Sequence, residues 1–342
     1  AAKDAGATLL DSTLVSDPLI KKRYVTGVSA KELETGKNFE ISARVVVDAS
    51  GYSAVLRKKL PPEIGIETEI NNEDVVICYR EIREVKEQVD DPSFCEIYLN
   101  PQRVPGGYYW IFPKSPTKVN VGLGVAMAEG FPSPKNLYHE MVLPMPLFKD
   151  SRALSGGGGH VPTRRPLSSM VGNGLLIVGD AACQVNPIHG GGIGSSMMGG
   201  AKAGEVIIKG LEETDVSRDE LWSYNGKYME VYGAKQAGLD IFRMLLQRLT
   251  NKEIDYGMEH HLITDEDLLK TSMGEDVKLN ITEKTRRVFK GIGSLTLLKK
   301  LNTTVKLMKE IKSLHRNYPS SPEGLDGWEE KISRVVESAK KL

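Results

Sequence analysis

The chain has 342 residues, 40% apolar and 26% charged, enough to bury a large core in two or three domains. Its 45 basic and 45 acidic side chains balance, so net charge makes no case for nucleic acid or an acidic partner. No apolar run of about 18 residues marks a transmembrane span, no secretory signal pattern is present, and three cysteines without metal-ligand spacing fit a reducing cytosol. The expected state of Cys78, Cys95 and Cys183 is reduced and buried, with a disulfide between Cys78 and Cys95 as the alternative.

In chain order, "AAKDAG" reads as the last turn of a helix closed by Gly6, and a strand follows from Thr8 to Val15. "KKRYVTGVSAKEL" and "KNFEISARVVVDASG" continue as a β-hairpin and a return strand. Val45, Val46 and Val47 form the continuous apolar run of a strand buried on both faces, ending at Asp48–Gly51. This is how the middle of an α/β domain reads. From about Thr68, "DVVICYREIREVK", "SFCEIYLN", "GGYYWIFPK" and "KVNVGLGVAM" predict four strands of an antiparallel sheet. A helix is predicted over Asn136–Lys149. After the loop "SGGGGHVPTRRP" the chain returns to the parallel domain with a strand at 174–178. Helices are predicted near 193–211, 217–249, 264–272 and 283–316, with a last one from Asp326. The expected division is 1–67 and 166–215 for a nucleotide-binding domain, 68–165 for an inserted antiparallel-sheet substrate domain, and 216–342 for a helical region. The sequence holds no G-x-G-x-x-G fingerprint. The first βαβ unit that would carry it is expected before Ala1, in a segment of roughly 100 residues.

The run "GLLIV" at 174–178 leads into "GDAACQVNPIHGGGIGSSMMGG" at 179–200: a strand, a glycine-rich loop and a helix beginning near Ile193. A loop poor in side chains lets backbone approach a flat or anionic ligand, and the helix N-terminus aims its positive end there. Asp180, at the strand end, is placed to accept hydrogen bonds from ribityl or ribose hydroxyls; a helix cap is the alternative. Pro187 stiffens the loop, and His189 is either an acid or a structural hydrogen bonder. On a strand, Tyr108, Trp110 and Phe112 project to one face, Tyr109 and Ile111 to the other. The row is either a rigid wall for a polyprenyl chain or an ordinary core face. Lys114 is either a point charge for a phosphate or diphosphate head group or a solvated lysine, with Arg164 and Arg165 as lesser candidates. From Lys284 to Arg316 ten Lys or Arg accompany one acid, Glu310, and Leu295, Leu298, Leu301, Val305, Met308 and Ile311 fall at helical spacing. That helix lies on an anionic membrane or packs on the protein with a solvated basic face.

Together "VVVDASG" at 45–51, "GDAACQVNPIHGGGI" at 179–193 and "YYWIFPK" at 108–114 resemble the flavoprotein reductases of isoprenoid chains, the geranylgeranyl reductases. The first two stretches are shared by the wider p-hydroxybenzoate-hydroxylase-like flavoproteins and imply FAD without fixing the reaction. The Tyr-x-Trp-x-Phe-Pro-Lys run is the specific one. The resemblance covers most of the chain and is weakest after residue 215. It implies an α/β fold, a FAD-binding Rossmann-like domain with an inserted sheet. It implies that Asp180 meets the ribityl chain and that Gly191, Gly192 and Ile193 offer backbone to the flavin ring and its phosphate side. Val15, at the end of its strand, would touch the adenine, and Gly51 would lie near the dinucleotide. Tyr108, Trp110, Phe112 and Lys114 would face the substrate. The family's active-site cysteine and remaining FAD contacts belong to a segment this sequence lacks. The implied activity is hydrogenation of isolated C=C bonds in geranylgeranyl lipids or diphosphates of archaeal membrane lipid synthesis, with electrons from NAD(P)H or ferredoxin. No residue here is identifiable as the proton donor. The alternatives are an aromatic monooxygenase or halogenase of the same superfamily, and a lipid-binding protein with a vestigial flavin fold. A cytoplasmic protein with peripheral membrane contact is expected.

Overall fold

The computed structural model describes residues 1–260 and 292–342. Lys22 and Arg23 both hold positive φ (49° and 67°), a two-residue turn whose twist suits a hairpin. They join β1 (Thr13–Lys21) to β2 (Tyr24–Glu32), and β3 (Asn38–Ser42) completes an antiparallel sheet of order β1-β2-β3. The strand predicted at Thr8–Val15 is thereby corrected. Thr13 pairs with Glu32, the last residue of β2, so the ladder ends there and residues 7–12 are exposed. Val15 stands third in β1, beside a register shift at Val15/Asp17, and not at a strand end.

The return strand β4 (Val46–Asp48) runs parallel to β11 (Leu175–Ile177), with Leu175 opposite Val46 and Ile177 opposite Asp48. β10 (Val171–Gly172) pairs antiparallel with β11. Leu175, Leu176 and Ile177 are wholly buried in a core with Val25, Met170, Tyr224 and Tyr228. The chain leaves a parallel pair at Asp48 and comes back to it at Leu175, so both strands end side by side.

Between them lies a five-stranded antiparallel sheet of order β6-β7-β8-β5-β9. Its strands are β5 (Val76–Glu84), β6 (Glu96–Tyr98), β7 (Tyr108–Ser115), β8 (Lys118–Ala126) and β9 (Arg152–Val161). The first four match the four predicted. β9 departs from expectation: its four glycines read as a loop, yet it pairs with β5 from Val161–Val76 to Arg152–Glu84. One face of the sheet, with Ile111, Val121 and Leu123, packs on α1 (Pro134–Leu137) and the π turn Tyr138–Val142 that continues it. This helix is shorter than the predicted Asn136–Lys149 because Pro144 and Pro146 stop it; the chain resumes as a 3-10 turn at Pro146–Phe148.

α2 (Ile193–Glu212) follows the glycine loop as expected. The span predicted as one helix at 217–249 is α3 (Arg218–Leu221), α4 (Ser223–Tyr228), a π turn at Met229–Gly233 and α5 (Ala234–Leu246). α6 (Asn251–Glu259) was not expected. The helix predicted at 264–272 lies outside the described residues, as does the beginning of that at 283–316. α7 (Ile292–Arg316) and α8 (Leu325–Lys340) close the chain. Leu301 and Ile311 of α7 are buried in cores shared with α5 and α8, so that stripe packs on the protein, the second of the two alternatives. Among the described residues no helix is long and apolar enough to cross a membrane.

Candidate functional site

The site begins where β4 and β11 end. Asp48 is buried there, and its carboxylate accepts the N–H groups of Ser50 (3.1 Å), Leu56 (3.2 Å) and Arg57 (2.9 Å) and the Ser50 hydroxyl. This knot turns the chain at Gly51 and seats the 3-10 turn Gly51–Ser53 against the turn Gly179–Ala182 that leaves β11. Gly51 and Asp180 thus come together at the carboxyl ends of parallel strands, where open α/β sheets place ligands.

The glycine loop is held from below. Buried Gln184 accepts the Gly179 N–H (2.7 Å) and donates to the Tyr224 hydroxyl (2.8 Å). Asn186 accepts the N–H groups of Ile188 (2.9 Å) and His189 (3.3 Å). Gly190 then reverses the backbone at φ 70°, which side chains resist. His189 Nδ1 accepts the Gly191 N–H (3.1 Å), so His189 shapes the loop. Burial lowers its pKa, the Lys235 cation adding to the effect. Gly192 caps α2 without a side-chain acceptor, which leaves the first N–H groups of the helix to a ligand or to solvent.

Asp180 stands beside this N-terminus: a methyl group on Gly192 would come within 3.0 Å of its Oδ1. Its carboxylate makes no hydrogen bond among the described residues, and burial raises its pKa above the ordinary carboxylate value. It does not cap α2, so the capping alternative is excluded. Bare backbone, an open helix N-terminus and an unpaired acceptor fit a flat, partly anionic group that carries hydroxyls. A flavin nucleotide is such a group.

β7 meets this loop directly. The Tyr108 hydroxyl donates to His189 O (2.8 Å), and burial pushes its pKa up to about 12. Tyr108 and Trp110 meet edge to face at 5.8 Å, and Trp110 and Phe112 stack at 6.0 Å. All three are half-buried, whereas Ile111 joins the core on the helix side, so the aromatic row is not a core face. Opposite the row on β8 stand Gly124, Gly122 and Asn120. A Cβ on Gly122 would fall 2.7 Å from Trp110 Cζ2 and 2.5 Å from Tyr79 O, so glycine is what lets the indole lie over β8. The indole N–H donates to Asn120 Oδ1 (3.3 Å). Register carries the same face on to Cys78 and Arg80 of β5 and to Gly159 and Gly157 of β9, where a methyl group would meet nothing within 4 Å. The result is an aromatic wall beside a glycine floor. Lys114 is exposed and is the extra residue of a bulge between Pro113 and Ser115. It lies six positions beyond Tyr108, about 20 Å along a strand.

The structure therefore gathers Gly51, Asp180, Gly191, Gly192, Ile193 and Tyr108 around one loop, with Trp110 and Phe112 following Tyr108 along β7. Val15 is carried by the separate sheet β1-β2-β3. Arg164 and Arg165 are not head-group ligands. Arg164 is buried in a two-bond pair with Glu67 (2.7 and 3.1 Å), and Arg165 pairs with buried Asp240 (3.1 Å). The three cysteines are free, but only Cys183 is fully buried; Cys95 is exposed, and burial pushes the half-buried Cys78 thiol up to about 11. Among the described residues no cluster of His, Cys, Asp or Glu could hold a metal ion. Sequence reasoning missed the floor, although glycines spaced by two in "VGLGV", facing an aromatic row, are a legible signal. Gln184 and Asn186 carried none.

Residues 74–161 match the model of the geranylgeranyl reductase catalytic domain. The chain is 41% identical over 336 residues to digeranylgeranylglycerophospholipid reductase of Sulfolobus acidocaldarius, covering 98% of this chain and 74% of that one. It covers as little as 54% of the length of other curated relatives. In three dimensions it is similar to a geranylgeranyl bacteriochlorophyll reductase-like protein of Thermoplasma acidophilum (TM-score 0.67, 21% identity, 78% of this chain and 68% of that one). A flavin-dependent brominase is a more distant neighbour (TM-score 0.53, 20% identity, 77% and 64%). The mixed α/β fold is thus that of flavin-dependent oxidoreductases and halogenases. With a match running nearly end to end, and with the aromatic row inside the matched catalytic domain, the chain belongs to the digeranylgeranylglycerophospholipid reductase family, flavin-dependent oxidoreductases that act on geranylgeranyl groups.

Proposed function

We propose that the whole protein hydrogenates the isolated double bonds of a geranylgeranyl lipid with FAD, and that this chain supplies the flavin's ring-side loop and the prenyl-binding face. The observation that carries this reading is the hydrogen bond from Tyr108 to His189 O, which joins the aromatic row to the glycine loop.

FAD, when bound, supplies the hydride. Asp180 accepts from its ribityl hydroxyls, and the backbone of Gly191, Gly192 and Ile193, with the positive end of α2, favours negative charge at the ring edge. Gly51 lies near the dinucleotide and Val15 by the adenine, as the family resemblance implies. Residues 1–67 and 166–215 form the nucleotide-binding part, 68–165 the inserted substrate sheet and 216–342 the helical region. A prenyl chain offers no hydrogen-bonding handle, so shape and dispersion must hold it. The row from Tyr108 to Phe112, above the glycine floor, does so and excludes water. Protonating an isolated alkene places positive charge on the substituted carbon, and ring faces lower that cost. Lys114 suits a phosphate head group at the far end of the row. No residue of this chain is assigned as the proton donor, and the electrons are assigned to NAD(P)H or reduced ferredoxin. The lipid substrate implies a cytoplasmic protein working at the membrane surface.

Anaerobic turnover of the full-length protein with a geranylgeranyl lipid, followed by mass spectrometry, is expected to show successive gains of two hydrogens. Reduced flavin that reoxidises with oxygen but never with the alkene would replace this reading by monooxygenation or halogenation. Protein that takes up no FAD would replace it by lipid carriage.

A further inference from the structure

The chain passes between the nucleotide loops and the antiparallel sheet twice, outward through residues 67–75 and back through residues 161–166. Charged groups tie the two passages together. Glu67 of the outward passage holds Arg164 of the return. α5 grips both from the side. Its buried Asp240 accepts from Arg165 (3.1 Å), and its buried Arg243 donates to Asp74 Oδ1 (2.7 Å) and to Glu73 O (3.2 Å). Arg243 also donates to Asp240 (2.7 and 3.0 Å) and to Gln247 Oε1 (3.0 Å), and Gln247 Nε2 donates to Gly106 O (3.1 Å).

Asp240 and Arg243 of α5 and Gln247, which caps its C-terminus, are spaced i, i+3, i+7 and so share one face. Asp74 lies two residues before β5, Gly106 two residues before β7, and Arg165 four residues after β9. One helical face therefore holds the ends of β5, β7 and β9, three of the four strands that make up the face with the glycine floor and the aromatic row. A buried ion network is a poor stabiliser compared with apolar side chains of the same volume. What it provides is direction: each bond fixes one strand end relative to α5.

We propose that this face of α5 is a clasp that sets the position of the aromatic row over the glycine loop, which makes Asp240, Arg243 and Gln247 positioning residues for the reduction. The proposal rests on the reductase reading. None of the three touches the row or the loop; they act through Asp74, Gly106 and Arg165.

The test uses the full-length holoenzyme and two mild variants, Asp74→Asn and Gln247→Ala, with Arg243→Met and Arg243→Lys beside them. A displacement of about 1 Å at the reacting atoms costs on the order of 100-fold in rate, so kcat/KM for a geranylgeranyl lipid is expected to fall about 10- to 100-fold in the mild variants. FAD affinity, by fluorescence titration, is expected to stay within about twofold, because the glycine loop itself is untouched. Amide hydrogen exchange should quicken in 67–75, 103–108 and 186–192 and stay unchanged in α2. Arg243→Lys should restore part of what Arg243→Met loses. Unchanged exchange in those three segments, or a loss of turnover matched by an equal loss of FAD affinity and of global stability, overturns the clasp. If the wild-type protein leaves the lipid unreduced, the reductase reading fails, and the exchange measurements still decide the clasp.

Discussion

At Gly122 the difference between a hydrogen and a methyl group decides whether Trp110 can lie across β8. An added Cβ would meet the Tyr79 carbonyl at 2.5 Å, and backbone cannot give way as a flexible side chain does. Gly122→Ala is expected to cost about 1–3 kcal/mol of stability by overpacking. Its larger effect should be on lipid turnover, since the indole must move; circular dichroism and steady-state kinetics separate the two. His315 is a different kind of residue. It is 1% exposed, its Nδ1 donates to Ile311 O (2.9 Å), its Nε2 has no partner among the described residues, and its ring packs edge-on against Trp328. Burial drives its pKa from 6.5 down to about 4, while the nearby Arg165 and Asp240 act in opposite directions. The unfolded chain takes up this proton first as pH falls. The stability tied to the neutral ring is therefore complete above pH 6.5 and is lost as pH drops through about 4, a change of about 3 kcal/mol. Urea midpoints measured between pH 7 and pH 4 should fall less steeply in His315→Phe than in the wild type.

Elements were legible in the sequence where local chemistry sets them. β7 alternates, α2 starts on glycines, and both appear where the pattern puts them. α6 was legible too: Thr250 and Glu253 form a capping box, the signature of a helix start, directly after the helix predicted to end at 249, but the span 250–263 was left without a helix. β9 was not legible. Its glycines have no side-chain pattern, and it is a strand because the edge of β5 offers it a ladder. Arg164 and Arg165 were misread for a related reason, since their partners stand 97 and 75 residues away. The openness of β9 has a testable side. A methyl group on Gly159 would meet nothing within 4 Å, so Gly159→Val should fold at least as well as the wild type, helped by up to about 1 kcal/mol of strand propensity. The valine would nonetheless fill the floor beside Cys78. Thermal melting should be unchanged or raised while KM for the lipid rises; an unaltered KM would show that the substrate does not use this part of the face.

For the molecule as a whole, the sequence announced the plan: a continuous apolar run ending in Asp48, alternating strands, then a second apolar run ending at Asp180. That plan stands in the parallel pair β4 and β11 and in the sheet between them. How the halves are fastened was hidden, because Tyr108 and the α5 network reach partners 75 to 169 residues away in the chain. Tyr108→Phe keeps the ring and deletes the fastening. It should cost about 1 kcal/mol of net hydrogen-bond energy, leave FAD affinity within about twofold, and raise KM for the lipid; a fluorescence titration alongside kinetics checks both. β7 itself assigns odd and even positions to different neighbours, the even-numbered rings to the face with Gly122 and Gly124 and Ile111 to the core. Inserting or deleting one residue in the turn at Pro116 and Thr117 would shift the count between the rings and their glycines and turn the strand inside out. Homologous proteins should therefore vary in length across the connection from β5 to β6 and keep that short turn at constant length.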